Sequence, residues 1–365
     1  MATPEVINFA TLLAPLAGDN PAGIDLREDS TPNSIYYKIK DARTTARNLE
    51  RQAITAEDPS QVARPDWAPI LKLGPEILTT KSKDLEITAW LIEGLVRSKG
   101  YAGLRDGFRL ARELSEQFWE QIYPLPDDYG VETRVFPLTG LNGDDAEGTL
   151  VAPIALVPIT KDGYTLSLYK QAAELDRMDP TKREQRIAAG AVPLSNYERS
   201  VRESGADYYR ELLADLTAAR DEYAKLCEYL GEKCGSAAPP ASNIRGAISE
   251  AIETVTSISR PLIGSSDAAA ETAGGAVVAA GGGGVQAGRS GPIATRDDAL
   301  AALLQVADFF RKTEPHTPVS YALEQAVRWG RMSLPELLTE LVPDNAAREN
   351  MFKMVGIRPP EGQSS

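Results

Sequence analysis

Histidine is almost missing from this chain of 365 residues, with His316 the single one. A nucleophilic triad needs a histidine within reach of Ser or Cys, and a histidine metal site wants a second His or several Cys. No G-x-S-x-G elbow is present, so the common hydrolase and zinc chemistries are excluded and only carboxylate-dependent ones stay formally open. Cysteine is scarce as well. Cys227 and Cys234 stand seven positions apart, which is too far for a disulfide along one helix, and Gly231 is expected to end that helix before Cys234. Reduced thiols follow. The most apolar stretch, "LVAPIALVPI" (Leu150–Ile159), is half the length of a membrane span and carries two prolines. Basic charge is also short, with Lys plus Arg at 39 against Asp plus Glu at 52, a net charge of −13. That balance opposes sequence-independent binding to nucleic acid or an anionic membrane. The opening "MATPEVINFATLLAPLAG" has no basic n-region of a signal peptide, so a cytoplasmic protein is expected.

What is present is helical periodicity. After the turn-rich "PLAGDNPAGIDLREDS", the spacing predicts a helix over "SIYYKIKDARTTARNLERQ". Asp66 and Asp84 are placed to cap the next two helices, the second of which ends at Gly100. Leu104, Phe108, Ala111, Leu114, Phe118 and Ile122 then recur at three- and four-residue intervals, an amphipathic stripe facing a core. Trp67, Trp90 and Trp119 fall on these helices and are core residues by the same pattern. The Pro-, Gly- and Asp-rich stretch Tyr123–Thr160 reads as an extended margin. Beyond it, Tyr209, Leu216, Tyr223 and Leu230 repeat every seven residues, with Leu212, Ala219 and Leu226 between them. This heptad-like seam suits a hairpin with "SNIRGAISEAIETVTSIS" or a self-association surface.

Gly264–Pro292 is Gly, Ala and Ser with few large side chains, the composition of a flexible linker. It contains a near P-loop, Gly283-x₄-Gly288-Arg289-Ser290, but the phosphate-reaching Lys is replaced by Arg and Pro292 follows where a helix must begin. The acidic turns around Asp19, Asp25, Glu28 and Asp29, and "GLNGDDAEG", lack the spacing of a calcium loop. No cofactor or metal is therefore expected. In the tail, helices are predicted over "TRDDALAALLQVADFFRK", over "VSYALEQAVRWG" with Thr317 at its N-cap and Pro318 at N1, over "SLPELLTELV", and over "NAARENMFKMVGI". Val319, Ala322, Leu323, Ala326 and Val327 form the apolar stripe of the second of these. Arg328, Trp329 and Arg331 at its end, with His316 at its entrance, are the candidate protein-docking residues, because Trp and Arg dominate binding hot spots. The expected organisation is mainly α: an N-terminal domain over 1–160, a helical middle region over 161–262, a linker over 263–294 and a small helical domain over 295–365.

Three blocks carry a family resemblance: "GDNPAGIDLRED", the long run from Arg64 to Pro124 with "LNGDD" after it, and "EPHTPVSYALEQAVRWGRMSLPELLTELV". The first two resemble the ImpA-type N-terminal domain of the TssA (ImpA-like) proteins of bacterial type VI secretion systems. The third resembles the tail of the shorter members. The resemblance implies a non-enzymatic cytoplasmic assembly protein associated with the baseplate, priming or coordinating polymerisation of the inner tube and sheath. It also implies a ring-like homo-oligomer partnered by baseplate, sheath and tube proteins, with no catalytic residues. A generic helical adaptor outside secretion is the alternative, and a carboxylate-dependent hydrolase a more distant one.

Overall fold

The computed structural model describes residues 2–56, 61–144, 146–273, 296–313, 318–332 and 334–341, the side chains of 264–273, 297, 298, 313 and 334–336 excepted. Among these, every named element is a helix and strand pairing is confined to isolated bridges, so the chain is mainly α. It divides into two compact units, Met1–Ala276 and Val277–Ser365. Residue 160 lies within the first of these units.

The larger unit holds α1 (Phe9–Leu12), α2 (Ile35–Thr55), α3 (Ala68–Thr80), α4 (Leu85–Phe118), α5 (Val131–Asn142), α6 (Val151–Ala155), α7 (Leu166–Asp176), α8 (Pro180–Ala188), α9 (Leu194–Ser204), α10 (Ala206–Cys234) and α11 (Ser242–Ala273). Asp84 starts α4 by accepting the N–H groups of Glu86 and Ile87, and Asp66 accepts that of Ala68 at the head of α3. At Gly100 (φ 58°, ψ −139°) α4 leaves helical geometry, so it is two helices folded back on each other. The return leg passes so close that a Cβ on Gly103 would stand 2.2 Å from the Leu95 carbonyl oxygen. Only glycine fits there. The stripe Leu104, Phe108, Ala111, Leu114, Phe118 and Ile122 is buried throughout, as are Trp67, Trp90 and Trp119.

The motif "GDNPAGIDLRED" is a clamp on the start of α4. Asn20 accepts the Ala22 N–H through its side chain and donates to the Gly23 carbonyl. Gly23 sits at φ 83°, where a Cβ would lie 2.1 Å from the Lys81 carbonyl oxygen, and Ile24 donates to that same oxygen. Arg27 then bridges Asp25, Asp84 and Glu86 at 2.7 to 3.3 Å, with Tyr36 donating to Glu86. Within the acidic turn, Asp25 is thus paired with Arg27 and Asp29 accepts from Thr31.

Lys83, between α3 and α4, is fully buried, and its Nζ donates to the carbonyl oxygens of Leu12 and Leu78, both at 2.7 Å. No carboxylate pairs with it among the described residues, and burial pushes its pKa down to about 8. Between that value and the unfolded lysine value of about 10.4, the unfolded chain binds more protons, so this group makes stability rise with pH across that window. Lys83→Met is expected to flatten this rise. The check is the urea midpoint at pH 7.5 and 9.5 in both chains. The buried thiols and tyrosines act alike in both, and an equal pH response would refute the assignment.

Three local expectations change. Tyr123–Thr160 contains α5 and α6, because Pro153 falls in the first turn of α6 and Pro137 is tolerated in a helix anchored by buried Val135, Leu138 and Leu141. Gly231 does not stop α10, which runs to Cys234 and ends at Gly235 (φ 55°). Helix α11 continues to Ala273, into the stretch read as linker. The smaller unit contains α12 (Arg296–Thr313), α13 (Val319–Arg331) and α14 (Leu334–Leu341). The expected fourth tail helix, and the cap at Thr317, lie outside the described residues.

Candidate docking surface

In the smaller unit the carboxylate of Glu340, on α14, gathers three side chains from α13. Gln325 Nε2 donates to Oε1 at 2.8 Å, Trp329 Nε1 donates at 3.1 Å, and Arg328 pairs with the same oxygen. The indole N–H bond, then those of Gln325 and Arg328, hold Glu340 below the usual carboxylate range. Arg311 pairs with Glu324 and ties α12 to α13, and Arg296 donates to the Gly330 carbonyl. Of the candidate residues, then, Arg328 and Trp329 are joined through Glu340, and Arg331 is exposed with no ion pair among the described residues. His316 lies outside the described residues. Glu340 was missed because it lies eleven positions from Trp329 on another helix, where no periodicity links the two.

The buried line of α13 is Ser320 and Val327, with Leu323 and Glu324 half-buried between them. It is rotated from the expected stripe, leaving Val319, Ala322 and Ala326 exposed. Val306 and Phe309 on α12, Tyr321 on α13 and Leu341 on α14 are exposed as well. Among described residues of this unit only Ala307 and Val327 are buried apolar side chains.

The seam residues fall elsewhere. Tyr209, Leu216, Tyr223 and Leu230 are all buried within the larger unit, where α10 lies against the second leg of α4 and against α11. Tyr223 packs on Phe108 at a ring separation of 4.6 Å, and Tyr229 meets Trp119 edge-on at 5.8 Å. The seam is a helical interface within one chain and leaves no free face for self-association. The heptad period requires burial but says nothing about the partner. Arginine was also overlooked: Arg43, Arg47 and Arg51 repeat every four residues along α2, a row visible in the sequence.

Among the described residues, no group of His, Cys, Asp or Glu is arranged to hold a metal, and no helix is long and apolar enough to cross a membrane. A helical unit clamped by the "GDNPAGIDLRED" loop is followed in the chain by a small helical unit with exposed apolar side chains. Residues 13–143 match the family model described as ImpA, N-terminal, type VI secretion system. The type VI secretion system component TssA1 of Pseudomonas aeruginosa is 25% identical over 352 residues, covering 94% of this chain and 97% of the relative. A solved N-terminal domain of the TssA component from Burkholderia cenocepacia, which includes the conserved ImpA_N region, aligns with a TM-score of 0.57 at 25% identity. That alignment covers 70% of this chain and 94% of the solved one, well beyond residues 13–143. The chain is thus similar to TssA components of type VI secretion systems over nearly its whole length, with an ImpA N-terminal match confined to residues 13–143.

Proposed function

We propose that this chain is a non-enzymatic, cytoplasmic assembly component of a type VI secretion system. In this reading it is associated with the baseplate, and it primes or coordinates polymerisation of the inner tube and sheath. The observation that carries the reading is the extent of the match to TssA1, which runs through the tail as well as the N-terminal domain. The smaller unit is the docking piece. Its exposed Val306, Phe309, Tyr321 and Leu341 supply apolar contact, and Glu340 holds Arg328 and Trp329 in fixed positions beside them. A ring-like homo-oligomer would multiply each weak contact, and it would form through surfaces other than the buried seam of α10.

Deleting Thr295–Ser365 is expected to abolish pull-down of baseplate and sheath proteins while leaving the melt of the larger unit unchanged. Undiminished capture would sink the docking assignment. Trp329→Ala in the full chain is expected to weaken capture about tenfold, the loss of one hot-spot anchor. Light scattering on the full chain checks self-association, and a strict monomer at micromolar concentration would remove the oligomer from the reading.

A further inference from the structure

The arginine row of α2 borders a groove of about 1,310 Å³, part of it open to solvent. One wall is Arg47, Arg51 and Ile54 of α2; Arg97 of α4 joins it, and the other wall is Leu156, with Glu147 at its rim. Drug-sized ligands sit in pockets that enclose roughly 70–90% of their surface, whereas this groove is open along its apolar lining, which suits a length of polypeptide laid across it. Its apolar lining is open: Ile54 is 76% exposed and Leu156 54%.

The charges around it are unequally matched. Glu93 takes Arg43 through two bonds of 2.5 and 2.9 Å, and Glu50 takes Arg97 at 2.6 and 2.8 Å. Arg97 also lies over the Trp67 ring at 4.0 Å. Both nearby carboxylates of α2 and α4 are thereby used. Arg47, half-buried, has no hydrogen bond or ion pair among the described residues, and Arg51 bonds only to Asn48. Burial, and the like charges of Arg43, Arg51 and Arg97, lower the Arg47 pKa despite the pull of Glu93. A guanidinium half out of water without a counter-ion is costly, and a carboxylate delivered to it recovers a forked pair.

We propose that this groove is a docking site for an acidic amphipathic segment of a partner protein, with a carboxylate seated on Arg47 and Arg51 and aliphatic side chains against Ile54 and Leu156. A long phosphate chain fits poorly, because two free arginines beside Glu147 can neutralise one carboxylate but not a run of phosphates on a chain of net charge −13. The proposal rests on the scaffold reading and gives the N-terminal unit a partner of its own.

The test is fluorescence polarisation of the full chain with a fluorescein-labelled helical peptide of Leu, Ala and Glu, beside its Glu→Gln counterpart. Saturable micromolar binding is expected, at least tenfold weaker for the Gln peptide, and weaker again as salt is raised. Arg47→Glu/Arg51→Glu is expected to lose about tenfold, Ile54→Ser/Leu156→Ser a similar factor, and Arg47→Lys less, each with an unchanged melt. Equal binding of both peptides, unchanged binding by the charge-reversed chain, or no saturation below millimolar would overturn the proposal. Light scattering on the charge-reversed chain covers the remaining occupant: a fall in mass relative to the unmodified chain would make a second copy the ligand and refute a foreign one. If pull-down of secretion proteins fails while the peptide binds, the scaffold reading falls and the groove stands. The opposite result removes the groove alone.

Discussion

A chain ending at residue 160 is expected to be insoluble or to lack a cooperative melt, whereas one ending at Ala273 should fold. The boundary is set by what α10 and α11 cover. Phe108 packs on Tyr223, Trp119 on Tyr229, and Leu138 and Leu141 share a small apolar cavity with Leu226, Leu230 and Ile244. Stripping that cover returns at least four large apolar side chains to water, at about 1.5 to 3 kcal/mol each. The sum, about 6 to 12 kcal/mol, equals the whole stability of a typical domain, about 5 to 15 kcal/mol. Buried Asn142 would also lose the Ile244 N–H that its side chain accepts. Soluble yield and near-ultraviolet circular dichroism of the two truncations decide the point. A cooperative melt for the shorter chain, within a few degrees of the longer one, would refute it.

Asp215→Ala is expected to destabilise the larger unit by about 3 to 5 kcal/mol, the usual result of removing one partner from a buried ion network. For a unit of this size that is a fall in Tm of about 10 °C. Arg105, Asp106 and Asp215 are all buried. Arg105 donates to Asp106 at 2.7 Å, to Asp215 at 2.5 Å and to the carbonyls of Thr3 and Pro4. Asp215 accepts both the backbone N–H and the hydroxyl of Thr3, and Asp106 accepts the Val6 N–H at 2.6 Å. Every bond of Asp215 is thus charge-assisted, and its loss leaves the buried Arg105 with Asp106 as its one carboxylate and the Thr3 N–H without its acceptor. Asp215→Asn, which keeps an acceptor oxygen, should cost less. Thermal melts of both variants check the ranking, and a shift under about 2 °C for the alanine would show the network to be dispensable.

The helices and their buried faces were legible in the sequence, and so was the pairing of α10 with α11; the pairing of α10 with α4 was not. Asp84 and Gly100 announced the ends of a helix by capping chemistry, and Leu104 to Ile122 announced a buried face by period. The α10 seam was equally plain as a face that needs cover, but its cover is α4, about a hundred residues earlier in the chain. Pro137 and Pro153 hid two helices, since proline argues against a helix locally and only packing on Val135, Leu138 and Leu141 overrides it. At the docking surface, Trp329 and Arg328 stood out by residue type. Glu340, which positions them, did not, because a single carboxylate on a separate helix carries no pattern.

The clamp on Thr3 has a consequence for how the molecule comes into being. Thr3 and Asp215 are separated by 212 positions, so at synthesis rates of about 5 to 20 residues per second the partner follows roughly 10 to 40 seconds later. For about the second half of that interval Arg105 and the Phe108 face of α4 have been made but cannot close. The larger unit therefore completes itself only after α10 has left the ribosome. The nascent helices must wait with their sticky face open, which is when a chaperone would find most to hold.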